Sequence, residues 1–516
     1  LQRTPQRVDE VFAKAAHEAG DAIHLVLADR SQVTYVETFE RAARLAGSLV
    51  AAGVTRGDIV AGFMRNSREL VEFYIACGIA GAIGCAINGM STAREVERIF
   101  ADCTPSAIVA EDRFLDRVPV GPVLDAMHLR IVTHELTPPT GWHAYDGLIG
   151  KTRVVSPIVG ATPDDPAVMI YSSGTTGAPK GILLRHAALV ENAAMTLEVL
   201  RATAGDRYMT ILPLFSSFGY SFDFLQVGLL RASLVILDQF DELLAVDLID
   251  RFKVTFLAGV PTMFARMFDR ANIGGRDITS LRLIDVGGGP VSPRLKQMLS
   301  KEYGIDVVES YGLTEISPVA SVQPPGKNNP LGSCGPPLPG IEVRVVGRDG
   351  VEARPGEPGE LQFRGPTAML CYWHQPELTA ETLKDGWLRS GDVGKVDEQG
   401  HIHILDRTKD MIVSNGFNVY PKEVENAIAE LPEVQSVAVV GALDEIAGEK
   451  IHAYVVIKPG RNLSEAQVLD HCDKSLSSYK RPEAVHFIDA MPLTGSGKIL
   501  RVKLREMLCQ DRENGE

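Results

Sequence analysis

The chain has 516 residues, enough for two or three domains with substantial cores. Hydrophobic residues make up 45% and charged residues 23%, the balance of an ordinary soluble globular protein. A net charge of −14 argues against nucleic acid as a principal partner, because phosphate backbones bind basic faces, but it leaves room for a local basic groove.

The seven cysteines (Cys77, Cys85, Cys103, Cys334, Cys371, Cys472 and Cys509) are odd in number, scattered, and never spaced C-x-x-C. That pattern points to reduced thiols in the cytoplasm rather than to a disulfide framework or a zinc site. The opening Leu1-Gln-Arg-Thr-Pro5 has no apolar signal core, and the missing initiator Met leaves room for a few absent native residues.

In chain order, Ile59–Phe63 reads as a strand, Arg68–Ala80 as a buried helix and the segment near Ala82–Ile87 as a short strand. Phe73 to Ala93 carries no charge and is long enough to span a bilayer. However, Gly78, Gly81, Gly84 and Gly89 interrupt it and Asn88 sits inside, so no membrane span is expected. Ala107–Ala110 is the next strand, and Ala167–Ile170 reads as a buried strand end. Leu234–Leu237, Val254–Leu257 and Leu283–Val286 follow as strands, with helices between them such as Asp241–Phe252. This alternation predicts an α/β architecture with largely parallel sheets.

From about Gly332 glycine and proline become dense, and short strands such as Glu342–Val346 and Glu360–Phe363 suggest a small β-rich module over 332–405. The last hundred residues look like a separate α+β unit, with helices at Pro421–Leu431 and Ser464–Ser475. Its strands are expected at Val437–Val440, Ala453–Ile457 and Ala484–Ile488. The boundary falls in Asp406–Lys409, giving domains 1–408 and 409–516.

Chemistry is most concentrated in Tyr171-Ser-Ser-Gly-Thr-Thr-Gly-Ala-Pro-Lys-Gly181. Glycines let backbone N–H groups approach an anion, and Lys180 adds a point charge, a combination suited to polyphosphate. It is not the common P-loop, because Pro179 precedes the lysine and Gly181 stands where a magnesium-binding hydroxyl belongs. A Gly/Ser/Thr loop alone is usually a surface linker; the Pro-Lys-Gly ending and the strand before it set this one apart.

Four further signals lie downstream, the first of them a second strong match. Tyr311-Gly-Leu-Thr-Glu315 follows the strand Asp306–Val308 and offers an aromatic for stacking, a hydroxyl and a carboxylate suited to Mg2+. Its bland reading is a strand-end turn with a core tyrosine. Ser390-Gly-Asp392 can bring a carboxylate to ribose hydroxyls, although such tripeptides are usually turns. Asp406-Arg-Thr-Lys-Asp-Met-Ile412 runs on to Asn415-Gly-Phe-Asn-Val-Tyr-Pro421, and Pro492-Leu-Thr-Gly-Ser-Gly-Lys498 puts a lysine on an exposed glycine loop.

In order and spacing, these five signals together resemble the acyl-CoA synthetases of the adenylate-forming superfamily, from about residue 30 to residue 505. The resemblance implies a large N-terminal domain of two α/β subdomains plus the β-module, and a small mobile C-terminal domain. It implies an ATP- and Mg2+-dependent ligase that activates a carboxylic acid as an acyl-adenylate and passes the acyl group to coenzyme A. Ser172, Ser173, Gly174, Thr175, Thr176 and Lys180 would hold the β- and γ-phosphates. Thr314 would contact the α-phosphate and Glu315 would bind Mg2+. Gly287, Gly288, Gly289, Ser310, Tyr311 and Gly312 would bound the adenine, and Asp392 and Arg407 would hold the ribose. Lys498 would bridge the carboxylate and the α-phosphate.

For the second half-reaction the resemblance implies a hinge at Lys409 that brings in Ser414, Asn415 and Gly416 beside the pantetheine, with Lys480 or Arg481 at the coenzyme A phosphates. The acyl pocket would lie among Phe215, Phe218, Gly219, Tyr220, Val260, Gly287 and Ser317. One departure stands out: after Leu212-Pro-Leu-Phe215 many relatives carry histidine, and here Ser216 and Ser217 follow. That puts control of acid or pantetheine access in doubt. Gly219 after Phe218 argues against an amino-acid substrate, and the small residues Gly219, Ala258 and Gly259 leave room for a bulky apolar acid. Fatty, aryl and terpenoid acids stay open, as do a homodimer and a partner enzyme in a biosynthetic pathway. Two other readings stand beside the ligase: an adenylate-forming enzyme with a different terminal step, such as loading a carrier protein or running one half-reaction, and a non-catalytic binding protein that kept the fold.

Overall fold

The computed structural model describes residues 6–135, 137–153, 161–172, 180–289, 291, 293–326, 329–347, 349–407, 410, 412–414, 417–444, 448–476, 480–493 and 499–513. For Ser172, Arg270, Asp406, Arg407, Val413, Phe417, Asn418, Leu443, Gly448 and residues 509–513 only the backbone is described. The chain forms two units, one made of 1–342 and 363–388, the other of 343–362 and 389–516.

The first unit is built on two eight-stranded sheets. In one, the central strands Asp306–Gly312, Leu283–Val286, Phe256–Gly259, Arg207–Met209, Ser233–Val235 and Ile23–Val26 are parallel. Antiparallel strands Val319–Val322 and Gln32–Thr34 close its edges. In the other, Pro166–Ser172, Ile83–Ala86, Ile59–Phe63, Ala107–Glu111, Leu129–Thr133 and His143–Ala144 are parallel. Lys180–Arg185 and then Cys371–Tyr372 add to Pro166–Ser172 in antiparallel fashion. Ile59–Phe63 and Ala107–Glu111 are buried along their whole length, which is why Ile59–Phe63 and Ala107–Ala110 carry no charged residue.

The segment that holds the uncharged stretch Phe73–Ala93 resolves as expected. The helix Arg68–Ala80 starts at Ser67, whose Oγ accepts from the Leu70 N–H at 3.1 Å. It stops at Gly81, whose φ of 64° suits a glycine. Among the described residues, no helix is long and apolar enough to cross a membrane.

Three expectations shift. Val254 is not in a strand: Lys253, at φ 52°, ends the preceding helix Glu242–Phe252, and pairing begins only at Phe256. Ser233–Val235 is one residue earlier and shorter than the expected Leu234–Leu237. Asp306–Val308 continues to Gly312, so Tyr311 is on a strand rather than after a connection.

The strands Glu342–Val346, Gly359–Arg364, Trp387–Val396 and Leu383–Lys384 follow one another in a third sheet, with Ile402–Arg407 also paired to Trp387–Val396. The second unit has its own sheet of Phe417–Val419, Ile412–Ser414, Gly448–Ile457 and Val434–Asp444, with Ala484–Phe487 parallel to Gly448–Ile457. The helices Pro421–Ala429 and Glu465–Ser475 cover one face through Val424, Ile428, Val468 and Cys472. Arg501–Glu513 covers the other through Leu504 and Leu508.

Candidate active site

The glycine-rich segment is flanked by two paired strands. Strands Pro166–Ser172 and Lys180–Arg185 pair antiparallel, with Ser172 opposite Lys180, so 173–179 joins two stems held in register. Ser173, Gly174, Thr175 and Thr176 lie outside the described residues. The stems are pinned from below: the Tyr171 hydroxyl donates to Asp102 Oδ2 at 2.5 Å, and Trp373 Nε1 donates to the Asp102 carbonyl at 3.2 Å. A Cβ on Gly181 would crowd Met169, Trp373 and Tyr171 at 3.1–3.2 Å. Lys180 is half-buried, with its ammonium 5.7 Å from the centroid of the Tyr372 ring.

That ring leads to the second motif. The Tyr372 hydroxyl donates to Glu315 Oε1 at 2.8 Å, and the Met369 N–H donates to the Glu315 carbonyl at 2.8 Å. Glu315 follows Gly312, where a Cβ would lie 2.1 Å from the Pro318 carbonyl oxygen, so only glycine lets the chain turn back there. One residue before Glu315, Thr314 Oγ1 stands 2.9 Å from Ser217 Oγ. Lys180, Tyr372, Glu315, Thr314 and Ser217 are thus joined by a continuous series of contacts. Tyr372 carried no signal in the sequence that set it apart, and Ser217 was noted only for following Ser216 at the departure from histidine.

The remaining nucleotide candidates of this unit lie at the carboxyl ends of two adjacent parallel strands, where open α/β sheets bind ligands. Gly287, Gly288 and Gly289 follow Leu283–Val286, and Ser310, Tyr311 and Gly312 end Asp306–Gly312. Gly288 is exposed at φ 75°. The Tyr311 ring is half-buried and tilts against Phe363 at 5.9 Å. Ser310 Oγ donates to Asp285 Oδ1 at 2.5 Å. Burial pushes the Asp285 carboxyl up to about 7; the Ser310 bond opposes this and the Glu309 charge adds to it.

The acyl-pocket candidates divide. Phe218 meets Phe222 edge-on at 4.8 Å, Phe222 stacks on Phe256, and a Cβ on Gly287 would fall 2.7 Å from the Phe218 ring. Phe222, one helical turn beyond Phe218, was not singled out from the sequence; its spacing was the available signal. Tyr220 turns instead into the core, edge-on to Tyr74 at 4.7 Å and against Phe224 at 5.0 Å. Gly219 packs under the Pro213 carbonyl, where a Cβ would be 2.4 Å away. Phe215 is half-buried, and Val260 is buried at the head of the helix Pro261–Met267. Ser317 is fully buried at φ 72°. Its Oγ has no hydrogen-bond partner among the described residues. Ser216, at the position where the resemblance implies histidine, caps the helix that starts at Ser217. Its Oγ donates to the Pro213 carbonyl at 2.8 Å and accepts from the Gly219 N–H at 3.1 Å.

In the second unit, Asp392 is buried, and its N–H donates to Ser390 Oγ at 3.0 Å. It pairs across the sheet with Arg407, of which only the backbone is described. Ser414 is buried and opposite Gly448. Lys480 Nζ sits 2.7 Å from Glu423, and Arg481 Nε 2.9 Å from Asp473, so a carboxylate already engages each cation. A bridge between Leu493 and Ile499 flanks residues 494–498. Lys409, Asn415, Gly416 and Lys498 lie outside the described residues.

This arrangement has counterparts. Residues 12–373 match the family model of AMP-binding enzymes, and 423–498 match that of the AMP-binding enzyme C-terminal domain. The indoleacetate–CoA ligase of Aromatoleum aromaticum is 35% identical over 483 residues, 93% of this chain and 94% of that protein. ScoC of Streptomyces coeruleorubidus, a fatty acid–[acyl-carrier-protein] ligase, is 34% identical over 94% of this chain and 93% of its own. The crystal structure of the anthranilate CoA ligase AuaEII with anthranoyl-AMP superposes with a TM-score of 0.90 at 28% identity, covering 97% of each chain. The chain belongs to the AMP-binding enzymes and is an AMP-forming acyl-CoA synthetase, working with ATP, Mg2+ and coenzyme A.

Proposed function

We propose that this ligase activates a hydrophobic, ring-bearing carboxylic acid, with an aryl acid as the best fit. The observation that carries this reading is the edge-to-face pair of Phe218 and Phe222 closing on the bare backbone of Gly287. The half-buried Phe218 ring, backed by the fully buried Phe222, offers an aromatic surface to a flat apolar body. The two aryl acid–CoA ligases it resembles, named for indoleacetate and anthranilate, support the same class.

Activation brings two anions together, a carboxylate and the α-phosphate. Thr314, Lys180 and the donors of 172–176 meet negative charge on the phosphates, an electrostatic contribution to the step. Glu315 is the residue to hold Mg2+: it is a hard oxygen donor, half-buried, and oriented through Oε1 by Tyr372. When bound, that ion neutralises phosphate charge. Tyr311 and Gly287–Gly289 border the base, Asp392 and Arg407 take the ribose, and Lys498 joins the carboxylate to the phosphate. Ser414, Asn415 and Gly416 serve the thioester step. The enzyme works in the cytoplasm, in keeping with its odd number of scattered cysteines.

A second acceptor has one specific support, the similarity to a carrier-protein ligase. The substrate reading is tested by comparing kcat/KM for aryl acetates, cinnamates and benzoates with straight-chain acids of equal carbon number. An advantage of tenfold or more for a ring acid is expected; a preference for the straight chains contradicts it.

A further inference from the structure

The segment Met369–Trp373 ties together two parts of the site that are far apart in sequence. On one side, Tyr372 pairs with Ile182, and the Trp373 N–H donates to the Gly181 carbonyl at 2.7 Å, both next to Lys180. On the other, the Met369 N–H and the Tyr372 hydroxyl hold the backbone and the carboxylate of Glu315. Tyr372 is 8% exposed, and its own N–H donates to Thr379 Oγ1 at 3.0 Å, so the ring is fixed at its base.

We propose that Tyr372 is a positioning residue of the adenylation step, its hydroxyl aiming Glu315 at the magnesium of MgATP while its ring seats the Lys180 ammonium. The hydroxyl occupies Oε1 and so orients the other carboxylate oxygen. The ring face supplies electron density to a cation within about 6 Å. One side chain therefore couples the metal carboxylate to the lysine at the end of the phosphate loop.

The inference rests on the ligase reading of this site, and the test separates the two. ATP binding is measured calorimetrically without acid substrate, across a magnesium titration, for wild type, Y372F and Y372L. Y372F keeps the ring and loses the bond to Glu315. It should raise the magnesium concentration for half-maximal ATP binding roughly fivefold to tenfold, while ATP affinity at saturating magnesium stays within about twofold. Y372L also loses the ring and should weaken ATP binding at saturating magnesium by a further factor of about two to five. Y372M replaces it if Y372L does not fold. A merely structural tyrosine would lower the melting temperature without moving the magnesium dependence. That result in Y372F, or identical behaviour of Y372F and Y372L, overturns the proposal. Absence of magnesium-dependent ATP binding in the wild type overturns the reading of the site as well.

Discussion

Ser217 Oγ and Thr314 Oγ1 stand 2.9 Å apart, linking the helix that presents Phe218 to the turn that presents Glu315. An acid seated against Phe218 and a phosphate contacted by Thr314 are thereby referred to one hydrogen bond. Ser217→Ala removes it. A bond of this kind contributes about 1 kcal/mol, so kcat/KM for acid-dependent pyrophosphate release should fall roughly fivefold. Thioester formation from preformed acyl-adenylate should be much less affected. Equal losses in both assays would place Ser217 elsewhere in the chemistry.

Ser216 does a different job from its neighbour. Both roles of its hydroxyl are filled within the turn, by the Pro213 carbonyl and the Gly219 N–H. Ser216→Ala should therefore cost about 1 kcal/mol of stability, read as a lower urea midpoint, and leave turnover within about twofold. A large loss of turnover at unchanged stability would instead give Ser216 a part in substrate handling.

Much of this was legible in the residues. Charge boundaries, Ser67 and Gly81 delimit the helix Arg68–Ala80, and apolar runs mark the parallel strands buried on both faces. Lys180–Arg185 was not legible as a strand, because the Lys-Gly start reads as the end of a loop and its pairing is decided by Pro166–Ser172. Tyr372 was not legible either. It sits in a two-residue strand between turns, and its importance arises from Glu315, 57 residues away in sequence. Phe222 and Tyr220 illustrate the same limit: both are aromatics of one helical run, and only the packing partners, Phe256 for one and Tyr74 for the other, decide which wall each joins.

Gly287 tests the aryl wall. A Cβ there would meet Phe218 at 2.7 Å and Ser310 Oγ at 3.1 Å, so Gly287→Ala must displace the ring. Such crowding costs ~1–3 kcal/mol. The expected outcome is a KM for the acid raised tenfold or more, with a smaller loss of MgATP binding measured without acid. An unchanged KM would move the acyl group away from this wall.

Asp285 sets a pH signature on stability. Its carboxyl titrates near 7 in the folded protein against 3.8 for the free group. The folded state therefore binds the extra proton, and the stability associated with it is present below about pH 4 and lost as pH rises towards 7. Asp223, fully buried on the helical run beyond Phe222, is shifted in the same direction by burial. Asp285→Asn should flatten the decline between pH 4 and 7 in chemical unfolding followed at several pH values. The slope removed is at most roughly 1.4 kcal/mol for each tenfold fall in proton concentration. Parallel pH profiles for wild type and variant would mean that Asp285 is ionised in the fold.

Lys498→Ala should separate the half-reactions. Losing a preorganised charge at the reacting phosphate typically slows a step by two to three orders of magnitude. Acid-dependent pyrophosphate release should fall by about that factor, and thioester formation from supplied adenylate by far less. Comparable losses in the two would remove Lys498 from its adenylation role.

The most direct measurement is the stoichiometry of a complete turnover with the best ring-bearing acid, ATP, Mg2+ and either coenzyme A or a carrier protein as acceptor. One pyrophosphate, one AMP and one acyl-CoA per acid consumed, with no acylation of the carrier, is the predicted result. Pyrophosphate release without acyl-CoA, or transfer to the carrier protein alone, would contradict the assignment of this chain as an acid–CoA ligase.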